Sequence, residues 1–150
     1  IMNLQGDEPA INIEDIISLN KKMVSIQSQM GTLAAKIKDL KDLDNKNIVK
    51  VITNKNLNND EFSEAKNFLR RSSEIANIYH HIGIYCYSTE TLKKIVELNQ
   101  SKNEIENRLE QLRALDNNIV INVALAKSSP IGVDTKEDYL ALKKIMEYKV

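Results

Sequence analysis

Cysteine is nearly absent from this chain. Among 150 residues only Cys86 occurs, so no intrachain disulfide framework can form, and a reducing compartment suits it. Neither sign of charge is in excess: 21 basic residues meet 21 acidic ones. Zero net charge gives no reason to expect nucleic acid or an anionic membrane surface as partner. No apolar run approaches the length of a bilayer span, and no signal peptide is visible, which makes a cytoplasmic location the default expectation. An initiator methionine is also lacking. Ile1 opens directly on the apolar run Ile1-Met2-Asn3-Leu4, which suggests a piece of a longer protein. Its length corresponds to about one domain, residues 1–150, able to bury a real core.

What is present alternates as an α/β protein does. The strand at Ile1-Leu4 ends at Gln5-Gly6-Asp7-Glu8-Pro9, and helical spacing then runs from about Ile13 to Gln29 through Ile16, Ile17, Met23 and Val24. Gly31 breaks that pattern, and Thr32 to Ile37 reads as a strand. The polar stretch 38–46 reads as a solvated loop, and Ile48 to Thr53 is rich in β-branched residues and reads as a strand. Between Glu61 and Ala76 the residues Phe62, Ala65, Phe68, Leu69, Ser72 and Ile75 fall at helical spacing, with Asp60 as a possible cap. Lys66, Arg70 and Arg71 would then form a solvated face more readily than an anion site. A strand covers Ile82 to Tyr87. Ser88 or Thr89 caps a short helix through Leu98, a second helix runs from about Lys102 to Leu115, and Ile119 to Leu125 alternates as a strand. The last helix carries Tyr139, Leu142, Ile145 and Met146 on one stripe, with Thr135 and Asp138 at capping-box spacing.

Two features of this pattern could carry chemistry. Along the strand near residue 85, the period of two sorts His81, Gly83, Tyr85 and Tyr87 onto one face and Ile82, Ile84 and Cys86 onto the other. The first face offers an imidazole and two phenols around a residue without a side chain, a shape that can receive a polar ligand; half-buried structural Tyr and His are the bland alternative. His80 and His81 alternate faces and make a poor metal pair, and Cys86 on the apolar face reads as an inert thiol. On the second helix, Glu104–Arg108 and Glu110–Arg113 are spaced for ion pairs. Glu110 and its neighbour Gln111 could both reach a pocket if that helix lies along its rim.

The other feature is a pair of acidic strand-to-helix turns, one at Asp7 and one at Asp134 after Gly132. In an open α/β sheet, ligands bind outside the carboxyl ends of strands. Two carboxylates from distant turns suit Mg²⁺, which takes oxygen ligands and is commonly shared with substrate phosphates. Two unrelated helix caps would look the same.

Five segments taken in series carry a resemblance: Gln5-Gly6-Asp7-Glu8-Pro9, Val49-Lys50-Val51, His81-Ile82-Gly83-Ile84-Tyr85, Leu109-Glu110-Gln111-Leu112-Arg113, and Gly132-Val133-Asp134-Thr135-Lys136-Glu137-Asp138. In order and spacing the chain resembles the 3-deoxy-manno-octulosonate cytidylyltransferases, the CMP-Kdo synthetases. The match weakens over 39–47 and 54–77. The resemblance implies part of a three-layer α/β nucleotide-diphospho-sugar transferase fold with a mixed sheet, usually a homodimer. It implies an enzyme that joins Kdo to CMP from CTP with release of pyrophosphate, using Mg²⁺, for lipopolysaccharide assembly. Asp7 and Asp134 would be the catalytic Mg²⁺ ligands, and Gln5, His81, Tyr85, Glu110 and Gln111 would bind substrate.

The chain departs from the family twice. The family's N-terminal nucleotide-binding part, with its glycine- and arginine-containing phosphate loop, has no counterpart, so these residues alone are expected to be inactive. Where the family has Phe-Ser-Arg-Ala followed by Ile-Pro, this chain reads Phe62-Ser63-Glu64-Ala65-Lys66-Asn67-Phe68. Glu64 reverses a charge, with Lys66 and Arg70 as candidate substitutes, and the family pattern makes this region partly extended, against the local helical spacing; the family pattern is preferred here, because tertiary context overrides short-range periodicity. A catalytically incomplete α/β fragment or interaction module, or a sister enzyme activating another sugar acid, are the competing readings.

Overall fold

The computed structural model describes residues 1–6, 9–129, 133 and 135–147, without the side chains of residues 138, 145 and 146. Its elements, in chain order, are β1 (Met2–Leu4), α1 (Ile13–Ser25), β2 (Met30–Ala35), a 3-10 turn (Leu40–Leu43), β3 (Lys50–Thr53), β4 (Ser63–Leu69), β5 (Ile78–Tyr87), α2 (Thr89–Glu97), α3 (Lys102–Asn107), α4 (Gln111–Asp116), β6 (Ile121–Leu125) and α5 (Lys136–Glu147). The strands form one mixed sheet in the order β1-β5-β2-β6-β4-β3, and β3 also pairs with β5, so the pairings close on β5 with β1 outside the ring. The long strand β5 makes this possible: residues 84–86 pair with β1 and residues 78–80 with β3.

Each face of the sheet buries its own apolar cluster, giving three layers. Leu19 and Met23 of α1 pack with Leu33, Ile82, Ile84, Cys86 and Ala124. On the opposite face Leu109, Leu112 and Ala114 of the α3–α4 region pack with Val51, Phe68, Tyr79, Tyr85, Ile121 and Val123. The period-two sorting of β5 is therefore observed: 82, 84 and 86 face α1, while 79 and 85 face the other layer.

Three local readings are corrected. The stretch 61–76 is not a helix; it contains β4, paired with β3 and β6. The helical look has a specific cause. Thr53 opposes Ala65 but Ile52 opposes Asn67, so Lys66 is an extra residue in a β-bulge. The bulge turns buried spacing of two, at Ser63 and Ala65, into a step of three to Phe68, and a step of three is what a helix shows.

The expected helix from Lys102 to Leu115 is broken. Arg108 stands in the left-handed region at φ 53° and ψ 48° and ends α3. Glu104 explains why. Its buried carboxylate completes a capping box with Ser101 and accepts from Arg113 Nε at 2.7 Å. In a continuous helix residues nine apart lie on opposite sides, about 13 Å along the axis, so this ion pair exists only because the chain turns between them. The expected pairs Glu104–Arg108 and Glu110–Arg113 give way to it.

Gly31 does not break a helix but sits inside β2, and α1 stops earlier, at Ser25, with Gln27 at positive φ. A Cβ on Gly31 would clash with Met23 Sδ, so the missing side chain lets α1 approach the sheet. The stretch 38–46 includes the 3-10 turn. Ser88 is the α2 cap, accepting from the Thr91 amide at 3.1 Å. On α5, Leu142 is buried while Tyr139 is exposed. The expected contributions of Asp138, Ile145 and Met146 fall outside the described residues.

Candidate active site

β1 and β6 both run parallel to β2: β6 pairs with β2 in parallel, and β1 and β2 are each antiparallel to β5. Their carboxyl ends therefore leave the sheet at one edge. Those two strands lead to Asp7 and Asp134, which themselves lie outside the described residues. The chain ties the two exits together: buried Asp15, on the first turn of α1, accepts the Lys127 amide just after β6 with both carboxylate oxygens at 3.2 Å. An ion pair of Glu14 with Lys127 covers it and holds the Glu14 carboxyl below its ordinary value. The carboxylates expected to bind Mg²⁺ are of the hard oxygen type that ion takes. Among the described residues no group of three or more His, Cys, Asp and Glu could hold a metal ion.

Several of the expected substrate residues converge beside that edge. Gln5, directly after β1, donates from Nε2 to Glu110 Oε1 at 3.3 Å, across 105 positions of sequence. Glu110 is exposed at the start of α4, and Gln111 beside it is buried. The Glu110 charge reaches Tyr87: burial first, and then that carboxylate, push the phenol up to about 12. Tyr87 lies 6.0 Å from Tyr85 between ring centroids, and Tyr85 lies 5.6 Å from His81. Phe68 meets the far side of His81 edge-on at 5.0 Å. Gln5 thus meets Glu110 at the end of β1, and half-buried Tyr87 is followed along the same face of β5 by Tyr85 and His81, both buried.

His81 is buried, and burial pushes its imidazole down to about 3, so it is neutral at pH 7. Its Nε2 lies 3.0 Å from Thr32 Oγ1. The hydroxyl has one proton, which goes to the Ile84 carbonyl at 2.7 Å, the shorter of its two carbonyl contacts. It must then accept from His81, which fixes the proton on Nε2 and leaves Nδ1 as the acceptor. This arrangement comes from a second bulge: Thr32 opposes Tyr85 while Leu33 opposes Ile82, which brings both flanking carbonyls to the threonine. Gly83 lies within that bulge. His80 is half-buried on another side and takes Ser129 Oγ at 2.6 Å through Nδ1, so the histidines are separated as their alternation implies. Cys86 is a buried free thiol, pushed up by burial.

Residue types alone do not reveal the role of Thr32, which depends on an irregular register, or the influence of Glu110 on Tyr87. Arg70 is also placed differently from either expectation. It donates from Nε to Asn107 O at 3.0 Å, from Nη1 to Lys46 O at 3.1 Å and from Nη2 to Arg108 O at 3.0 Å. Arg71 pairs with Asp44, and exposed Glu64 accepts from Asn54 Nδ2 at 3.3 Å.

The cytidylyltransferase family profile matches residues 1–127, and the chain belongs to that family. It is 39% identical over 148 residues to the 3-deoxy-manno-octulosonate cytidylyltransferase of Bartonella henselae, covering 97% of this chain and 60% of that one. Identity to the enzyme of the same name from Thermodesulfovibrio yellowstonii is 40% over 152 residues, with the same coverage of each. The fold superposes on a CMP:2-keto-3-deoxy-manno-octonic acid synthetase complexed with CTP with a TM-score of 0.86 at 28% identity, over 99% of this chain and 62% of that one. A UTP-bound UGPase from Acinetobacter baumannii shares the fold at a TM-score of 0.63 and 16% identity, over 89% of this chain and 44% of that one. The chain thus spans about three fifths of the length of the cytidylyltransferases it matches.

Proposed function

We propose that this chain forms the sugar-binding part of a CTP-dependent cytidylyltransferase that joins 3-deoxy-manno-octulosonate to CMP and releases pyrophosphate, in the service of lipopolysaccharide assembly. The observation that carries this reading is the contact of Gln5 with Glu110 beside the Tyr87-Tyr85-His81 face. Residues remote in sequence meet at the strand edge where α/β sheets bind ligands, and relatives at 39–40% identity bear that enzyme's name.

In this reading Glu110 and Gln111 hold sugar hydroxyls, with Gln5 fixing the Glu110 carboxylate. Neutral His81, oriented by Thr32, would offer Nδ1 as an acceptor, with Tyr85 packed beside its ring. A neutral imidazole suits this task because it can take a hydroxyl proton into a hydrogen bond without carrying a charge of its own. The reaction joins the sugar's anomeric hydroxyl to the α-phosphate of CTP. Asp7 and Asp134 would hold Mg²⁺, which when bound neutralises the triphosphate and the charge that develops on it. The same reading makes the protein a cytoplasmic homodimer.

Calorimetry tests it. The chain is titrated with 3-deoxy-manno-octulosonate, and separately with CTP, in the presence of Mg²⁺. Saturable sugar binding that weakens at least about tenfold in Glu110→Ala, on the scale of one charge-assisted hydrogen bond, supports the proposal. Binding of neither compound would favour a non-catalytic module, and preference for a different sugar acid would favour a sister enzyme.

A further inference from the structure

Among the described residues Arg70 has no carboxylate partner, yet its guanidinium serves three backbone carbonyls, those of Lys46, Asn107 and Arg108. Its own backbone is held in turn. The Arg70 carbonyl accepts from Lys50 Nζ at 2.8 Å, and the same ammonium donates to Asn45 O at 2.6 Å and Ile48 O at 2.8 Å. Lys50 is fully buried, and an ammonium has three protons to give. All three have partners here. Two cations therefore stitch the turn at 45–48, the end of β4 and the α3–α4 junction into one unit.

That junction is where the backbone is strained. Arg108 is a non-glycine residue in the left-handed region, which is unfavourable for a side chain. Two residues later comes Glu110, and then Gln111. The direction in which these two side chains leave the chain is set by the turn at 107–108, and the Arg70 fork grips both carbonyls of that turn.

We infer that Arg70 is a positioning residue for the sugar site: it holds the turn made by Asn107 and left-handed Arg108 so that Glu110 meets Gln5 and Gln111 is set beside it. This rests on the sugar-binding reading above. It also differs from a direct role, in which Arg70 would replace the family arginine displaced by Glu64 as a contact for an anion. Three of its N–H groups are spent on backbone.

The test uses the whole chain and variants Arg70→Gln, Arg70→Lys and Arg108→Gly, with sugar affinity by calorimetry and amide hydrogen exchange without ligand. Arg70→Gln should speed exchange at residues 109–113 and weaken sugar binding about tenfold. In a Glu110→Ala, Gln111→Ala background the same substitution should cost no further affinity. Arg70→Lys should not rescue, because a point charge cannot span three carbonyls. Arg108→Gly, which relieves the left-handed backbone, should restore part of what Arg70→Gln loses. Equal affinity loss in both backgrounds, or recovery in Arg70→Lys, would overturn the inference in favour of direct anion contact or general destabilisation. If the wild-type chain binds no sugar, the functional reading fails by itself. The exchange comparison then still decides the positioning role, and unchanged exchange at 109–113 in Arg70→Gln would refute it.

Discussion

Arg113→Met removes the cation from a carboxylate that has almost no contact with water. In the Glu104–Arg113 pair the side chains are 5% and 22% exposed, respectively. Breaking a buried pair from one side costs about 3–5 kcal/mol. Partial exposure of the arginine and the contacts left to Glu104, from the Ser101 amide and Gln100 Nε2, reduce the expected loss to about 2–3 kcal/mol. With a urea m-value of about 2 kcal/mol/M, the unfolding midpoint should fall by roughly 1 M at unchanged m. The pH dependence separates an ion pair from mere packing. Arg113 first, against burial, holds the folded Glu104 carboxyl below its ordinary value of 4.5. A depressed carboxyl stabilises fully above its unfolded value, and loses that stabilisation as pH falls through the folded one. The gap between wild type and variant should thus be constant near neutrality and narrow below about pH 4.5. Urea titrations monitored by circular dichroism at several pH values would measure it. A gap under about 0.5 kcal/mol at neutral pH, or one that persists undiminished at about pH 3.5, would refute the role given to this pair.

Further outcomes follow from other residues. His81 is held neutral by burial, so between its ordinary value of 6.5 and its folded value of about 3 the unfolded chain binds the extra proton. Stability should fall as pH drops through that window, by up to about 1.4 kcal/mol per pH unit, and a flat profile in denaturant melts below pH 6 would contradict it. Gly31→Ala places a methyl against Met23 and Leu19 and should cost about 1–3 kcal/mol by overpacking, with the size checked by thermal unfolding. Thr32→Val keeps the shape but removes the acceptor for His81 Nε2–H and the donor to the Ile84 carbonyl. It should destabilise by about 1–3 kcal/mol and weaken sugar binding, and retention of both properties would remove Thr32 from the site. In an enzyme that turns over, Asp7→Asn or Asp134→Asn should lower pyrophosphate release by at least about 10²-fold, the scale of losing one electrostatic stabiliser.

Regular stretches were legible from residue types alone, and irregular ones were not. The alternation along β5 identified its two faces because one side packs on α1 and the other on the α3–α4 layer. β4 was misread as helical because a bulge at Lys66 inserts one residue and imitates a helical step; the family pattern, which preferred extended chain there, was the better guide. The break at Arg108 escaped because each half has a sound helical stripe, while the cause, a pairing of Glu104 with Arg113, is a tertiary contact. Within the site, Gln5, His81, Tyr85, Glu110 and Gln111 came from a resemblance in motif order, and the fold brings Gln5 to Glu110 and His81 to Tyr85. The contacts of Thr32 and Arg70 stayed hidden because both bond to backbone carbonyls brought together by bulges and turns, which leave no pattern in the side chains.

The most direct measurement is a nuclear magnetic resonance titration of the chain with 3-deoxy-manno-octulosonate. The account predicts saturable shifts concentrated at Gln5, His81, Tyr85, Tyr87, Glu110 and Gln111, attenuated in Glu110→Ala. Saturable shifts confined to other surfaces, or no response from these six residues at saturating sugar, would contradict it.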